Sequence, residues 1–181
     1  MRIKITFGLW VVCIASLLVF LGRLHQTPLP PAPPQAPLPA SPAWHLIHFL
    51  VPDCVCSESV ANYLIHRGPQ AGSVTEEVIV LGPPGAAPAL AAQLGQAGWG
   101  VTSAELGSPA SRGVRGGPWL VVFDPSGRAR YSGGYLGRQI VGPHDPFQDL
   151  AVLDRLRHGE AVTPFGPFGC LVGWKATAQA H

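Results

Sequence analysis

The chain has little charge. Asp, Glu, Lys and Arg make up 12% of its 181 residues, and the formal net charge is only +2. No run of basic residues stands out, so the electrostatic footprint of a nucleic-acid binder is missing. Lysine is nearly absent while arginine and alanine are common, a bias expected of a GC-rich genome. Also missing are G-x-S-x-G, a P-loop and H-E-x-x-H. Their absence sets aside a nucleophile-elbow hydrolase, a phosphate-cradling nucleotide site and a zincin. Asp145, Asp149 and Asp154 fall on or near one helical stretch, where a solvated face explains them better than a paired-carboxylate site. There is no internal repeat, and the length suits one domain plus an appendage.

What is present begins with an apolar N-terminus. After Arg2 and Lys4, an uncharged run extends from Ile5 to Gly22 and is closed by Arg23. Eighteen residues at about 1.5 Å each give roughly 27 Å, the hydrocarbon thickness of a bilayer. A signal peptide is the rival reading, but Gly22-Arg23-Leu24-His25 makes a poor cleavage site and Ala40-Ser41-Pro42-Ala43 lies too far downstream. The expectation is an uncleaved transmembrane anchor over 5–23, preceded by a cytoplasmic end at 1–4. Arg2 and Lys4 are nearly balanced by Arg23 and His25, so flanking charge alone does not orient it. Cys13, in mid-span, reads as a small apolar filler.

Residues 24–43 form a linker whose core, TPLPPAPPQAPLPASPA, is too rich in proline for a helix or a central strand. Such a stretch favours extended polyproline II, suited to a semi-rigid spacer holding a domain off a membrane. A ligand for a proline-binding module is the other use.

The folded domain is expected over 44–181. WHLIHFLV is an almost continuous apolar run, as in a strand buried on both faces. Apolar residues at 56, 60, 61, 64 and 65 predict a helix from Cys56 to Arg67, stopped by Gly68-Pro69. EEVIVLG predicts a second strand, Pro83 to Trp99 an Ala- and Leu-rich helix, and GVTSAEL a short strand. WLVVFD and RARYSGGY read as a hairpin around Pro125-Ser126-Gly127, and Asp145 to Gly159 as the last helix. Alternating strands and helices followed by a hairpin predict an α/β fold with a mixed central sheet flanked by helices.

The chemistry centres on VPDCVCSES. A thiol reacts as its thiolate, and a helix N-terminus stabilises that form. Cys54, at the strand-to-helix corner, is therefore the expected nucleophile. Asp53 and Glu58 oppose this, since nearby negative charge raises a thiol's pKa. The balance predicts a moderate value, fitting a reductant or isomerase. Cys56 is the awkward partner. Residues two apart on a helix point about 200° from each other, and on a strand they lie about 6.6 Å apart, so a Cys54–Cys56 bridge forms only across a turn and is strained. Ser57 stands where a C-x-x-C motif has its second cysteine.

Together, PDCVCS after a buried strand, Gly117-Pro118 before WLVVFD, and FDPSGRARYSGGY resemble the thioredoxin superfamily over about Trp44 to Gly159. The likeness is nearest to membrane-anchored envelope members with C-x-C-S in place of C-x-x-C. It implies a thioredoxin-like fold, with Pro118 in the place of the family's cis-proline, beside the cysteines and in contact with the substrate chain. It further implies thiol–disulfide exchange with protein thiols or disulfides of the cell envelope, and a single-pass protein of the bacterial inner membrane with its domain in the periplasm. No cofactor is implied. The departures are the one-residue cysteine spacing and a longer insertion before Pro118.

Cys170, in PFGPFGCLVGW, has two readings. It is a resolving cysteine, its G-C-x-x-x-W context resembling C-terminal segments of some peroxiredoxin-like proteins of this fold, or it is an inert buried thiol beside Trp174. Two readings of other classes stand beside the oxidoreductase. Cys54 and Cys56 could hold Cu(I), a soft ion content with two sulfurs, in a metallochaperone or assembly factor. His45, His48, His144 and His181 could add a nitrogen, although packed roles suit the first two better. Alternatively, the domain is a non-catalytic module that binds a partner by its surface.

Overall fold

A computed structural model describes residues 10–17, 29–30, 34–140 and 142–172. Residues 10–17 are helical with exposed apolar side chains. Most of the expected anchor, 5–9 and 18–23, lies outside the described residues, among which no helix is long and apolar enough to cross a membrane.

The apolar run after the proline-rich stretch forms β1 (Trp44–Leu50), at the centre of a five-stranded sheet. Its neighbours are β2 (Val74–Leu81), which runs parallel, and β5 (Trp119–Phe123), which runs antiparallel. Outside them lie β3 (Gly100–Ala104), parallel to β2, and β6 (Ala129–Gly133), antiparallel to β5. Two further short strands, β4 (Gly116–Gly117) and β7 (Cys170–Leu171), pair with each other in a separate ladder. Three helices complete the order: α1 (Val55–Arg67) after β1, α2 (Pro88–Gln96) after β2, and α3 (Asp149–Arg157) after the hairpin. A βαβ unit followed by a β-hairpin and a helix, on a mixed sheet, is a thioredoxin-like fold.

Strand alternation divides the core in two. Leu46 and Leu50 of β1 join Val60, Ala61 and Leu64 of α1, Leu94 of α2, and Val152, Leu153 and Leu156 of α3. Ile47, Phe49 and Val51 join Ile79, Val121 and Phe123 in a second cluster, which also contains Leu29, Val114 and Cys54. The helices thus bury their apolar stripes in one cluster. The other is walled by loop residues and by part of the proline-rich segment.

Two helices are shorter than the sequence pattern predicts. α2 begins at Pro88 because Pro83–Ala87 turns instead, with Gly85 at φ 76° and Ala86 N–H donating to the Pro83 carbonyl. α3 begins at Asp149, since an Arg138–Asp145 ion pair holds Asp145 in the preceding loop and Pro146 follows it.

Asp149 is not on a solvated face. It is fully buried, accepting from Tyr63 OH at 2.8 Å and pairing with Arg67 at 3.1 Å. Arg67 also pairs with Glu76 at 2.9 Å and lies over the rings of Tyr63 and Trp99. Glu76 in turn meets His48 Nε2 at 3.3 Å, and His48 Nδ1 meets Tyr135 OH at 2.5 Å. This chain of polar contacts joins β1, β2, α1, α3 and the segment after β6. Each buried charge has an opposite partner, which is what makes its burial tolerable.

Over its described residues the proline-rich segment holds no helix or strand, and it is no loose spacer. Leu38 N–H donates to the Gly127 carbonyl and Ser41 N–H to that of Pro125, both at 2.9 Å. Arg112, stacked on Phe123, bonds Gln35 and Ala36. Farther back, Leu29 N–H donates to the Pro167 carbonyl at 2.8 Å.

A candidate thiol site

The site is built at the end of β1. Asp53 takes φ 57°, a left-handed conformation that Asp tolerates better than most residues. That turn leaves Cys54 extended, at φ −104° and ψ 116°, as the N-cap of α1. Glu58 N–H donates to the Cys54 carbonyl at 2.8 Å, closing the first turn. Val51 N–H, which would otherwise be orphaned inside the protein, donates to Ser57 Oγ at 3.0 Å. The residue at the second-cysteine place of a C-x-x-C motif therefore ties strand to helix.

Cys54 is 2% exposed. As a thiol it donates to the Gly117 carbonyl at 3.7 Å. The next peptide bond, Gly117–Pro118, is cis. Gly117 faces Cys170 across the β4–β7 ladder, and Gly116 faces Leu171. The two-residue strands thus bring a cysteine from near the end of the described chain to the corner that Cys54 occupies. Cys56, in the first turn of α1, is half-buried against both core clusters, its thiol 3.9 Å from the Ile140 carbonyl. Cys54 precedes the helix instead of lying within it, so the opposed directions expected of helical residues two apart do not arise. No disulfide joins the cysteines.

Hydrogen bonding sorts the thiols. The thiols of Cys170 and then Cys56 donate to Cys54 and pull its pKa well below the ordinary value; burial opposes them, and Ser57 adds further bonds in the same direction. Cys56 is pushed up, first by its bond to Cys54, then by burial and by the negative charge of Cys54 and Asp145. This corrects the expectation of a moderate value for Cys54. Two neighbouring thiols and Ser57 dominate it, not Asp53 or Glu58.

The structure thus brings together Cys54, Cys56, Ser57, Pro118 and Cys170. Trp174 and His181 lie outside the described residues. Among the described residues no group of three or more His, Cys, Asp or Glu side chains is placed to hold a metal ion. His48 is committed to Tyr135 and Glu76, and His45 lies 3.1 Å from Glu77. Sequence reasoning missed Leu29, which is 7% exposed and shares an apolar cluster with Cys54, and Ile140 beside Cys56. A leucine in a proline tract and an isoleucine in a loop carry no periodic signal. Gly169, just before Cys170, was read only as part of the G-C-x-x-x-W context and not as the close neighbour of Gly117 and Pro118 that it is.

No protein-family model matches the chain, and no curated protein sequence does. Among solved structures it is similar to an uncharacterized conserved protein from Geobacillus kaustophilus, with 15% identity, TM-score 0.53, and coverage of 82% of this chain and 94% of that one. It is similar to a hypothetical protein from Sinorhizobium meliloti 1021, with 16% identity, TM-score 0.52, and coverage of 82% and 97%. A thiol:disulfide interchange protein of the thioredoxin family from Chlorobium tepidum TLS overlaps at 17% identity and TM-score 0.41, covering 75% of this chain and all 100% of that one. At such identities the likeness is one of backbone course alone. The chain has a mixed-sheet α/β fold of thioredoxin-like strand order, and its own residues must carry any statement about chemistry.

Proposed function

We propose that the protein is a thiol–disulfide oxidoreductase acting on protein clients, with Cys54 as nucleophile. The observation that carries this is the convergence of the Cys170 and Cys56 thiols on Cys54, at the N-terminus of α1 and beside Pro118. The Cys54 thiolate attacks one sulfur of a client disulfide. A Cys54–client bond forms, the client's S–S bond breaks, and its other sulfur leaves as a thiolate. Cys56 or Cys170, once deprotonated, attacks Cys54 Sγ, forming a disulfide within the chain and releasing the second client thiolate. Two electrons pass from the chain to the client, and a dithiol donor must restore them. The reverse direction, oxidation of a client dithiol, is favoured by a stabilised Cys54 thiolate, because that thiolate is the better leaving group.

We further propose that residues 5–23 hold the chain at the bacterial inner membrane with the thiols on the periplasmic side. The support is the uncharged run Ile5–Gly22 and a cysteine set suited to an oxidising compartment.

The test equilibrates the protein in graded glutathione buffers, traps its thiols by alkylation and maps bridges by mass spectrometry. A reversible Cys54–Cys56 or Cys54–Cys170 bridge is the expected result. Thiols that remain alkylatable across the whole range sink the proposal.

A further inference from the structure

We propose that Pro164–Val172 is an internal strap that lies where a client strand docks, with Cys170 in the place of the client's cysteine. This rests on the oxidoreductase reading and deepens it. An extended strand paired with β4 has one residue facing Gly117, whose carbonyl is 3.7 Å from Cys54 Sγ. In the chain's own strap that residue is a cysteine, and its thiol bonds Cys54. Any segment pairing in the same register presents its facing residue to Cys54 in the same way.

The fit is tight at one position. A Cβ on Gly169 would lie 1.9 Å from the Gly117 carbonyl oxygen and 2.9 Å from Pro118 Cδ, and backbone cannot yield to it. A Cβ on Gly116 would lie 2.7 Å from the Cys170 carbonyl oxygen. The docking edge therefore selects a cysteine preceded by glycine, on an extended segment. The strap is fastened at both ends of this contact: Val172 N–H donates to the Arg115 carbonyl at 3.0 Å, and the Pro167 carbonyl accepts from Leu29 at 2.8 Å. With it seated, Cys54 is enclosed at 2% exposure. A client must displace the strap, so the strap gates the nucleophile and its cysteine samples the client's position between encounters.

The test uses the full-length chain and two readouts. The first is the rate at which iodoacetamide alkylates Cys54, mapped by mass spectrometry, in the unaltered protein and in Gly169→Ala. Read at about pH 9.5, above the ordinary thiol value of about 8.5 so that Cys54 is largely thiolate with or without its Cys170 donor, loss of the close approach should raise that rate by about tenfold or more, with the far-ultraviolet circular dichroism unchanged. An unchanged rate in a folded variant overturns the strap. The second readout needs no variant. Peptides FGCLV and FACLV, each activated as a 2-thiopyridyl disulfide, are offered to the unaltered protein. The Cys54 thiolate attacks the peptide sulfur, a mixed disulfide forms and pyridine-2-thione leaves. FGCLV should label Cys54 about tenfold faster than FACLV, and equal rates overturn the proposal. The parent reading fails separately. Discrimination between the peptides without any bridge in the glutathione series sinks the oxidoreductase and leaves the docking edge. Reversible bridges with no discrimination do the opposite.

Discussion

Ser57 Oγ accepts the Val51 N–H across the strand-to-helix corner at 3.0 Å, so the residue just after β1 and the first turn of α1 share one hydrogen bond. Both residues are buried. Ser57→Ala leaves the Val51 amide without an acceptor, and such a loss costs about 1–3 kcal/mol. The expected result is a lower midpoint in urea with an unchanged slope. A midpoint within error of the parent would mean that water or a shifted backbone replaces the serine.

Cys54 should show a thiol titration moved down by its donors. Its folded pKa lies below the unfolded thiol value of about 8.5. The stability this adds is fully present above that value and is lost as pH falls toward the folded one. Cys56, pushed up, contributes with the opposite sign: its share is present below the unfolded value and lost as pH rises through the folded one. Cys170→Ala removes the foremost donor to Cys54, so its pH profile of alkylation should shift to higher pH. Superimposable profiles for the two proteins would show that Cys170 does not stabilise the thiolate.

Glu76 makes an acid-stability prediction. Burial pushes its carboxyl up, but bonds from His48 and Arg67 outweigh burial and bring its pKa down to about 2. A lowered carboxylate stabilises the fold above its unfolded pKa of about 4.3, and that share is lost as pH falls from there toward about 2. Glu76→Gln removes one of the two carboxylates paired with Arg67 and should cost about 1–3 kcal/mol at neutral pH. It should also flatten the acid limb of the stability curve, followed by thermal melts from pH 7 downward. An equally steep limb in the variant would assign that loss to other groups.

Copper offers a discriminating measurement. The reduced protein, titrated with Cu(I) against a competing chelator, should retain no stoichiometric ion, since the Cys54 and Cys56 thiols are taken up by hydrogen bonds to each other and to the Gly117 and Ile140 carbonyls. One tightly held Cu(I) per chain, lost on Cys56→Ser, would revive the metal-carrier reading.

The central strands were legible because β1 and β5 are buried runs of branched and aromatic residues, which leave no alternative period. The corner was legible for a related reason: Pro52 and Asp53 interrupt an apolar run just before helical spacing begins. α2 was read too long because Ala86 and Ala87 continue the alanine-rich pattern backward, although Pro83, Pro84 and Gly85 turn the chain there. Asp149 was misread because a carboxylate near a helix start looks the same whether it faces water or Arg67. That distinction belongs to a partner 82 residues away. Cys170 is the clearest case. It reaches the site through a ladder of two residues on each side, too short for any pattern, and through glycines whose role is an absence of side chain.

Where the domain begins has two answers. Counting strands, it starts at Trp44. Counting the surfaces that enclose the thiols, it starts no later than Leu29, whose side chain lies against Gly116 and whose amide fastens Pro167. A chain shortened to the sheet would keep its fold-defining order yet lack one wall around Cys54. The reactivity of Cys54 measured in such a fragment would then describe a different enclosure from the one the whole protein builds.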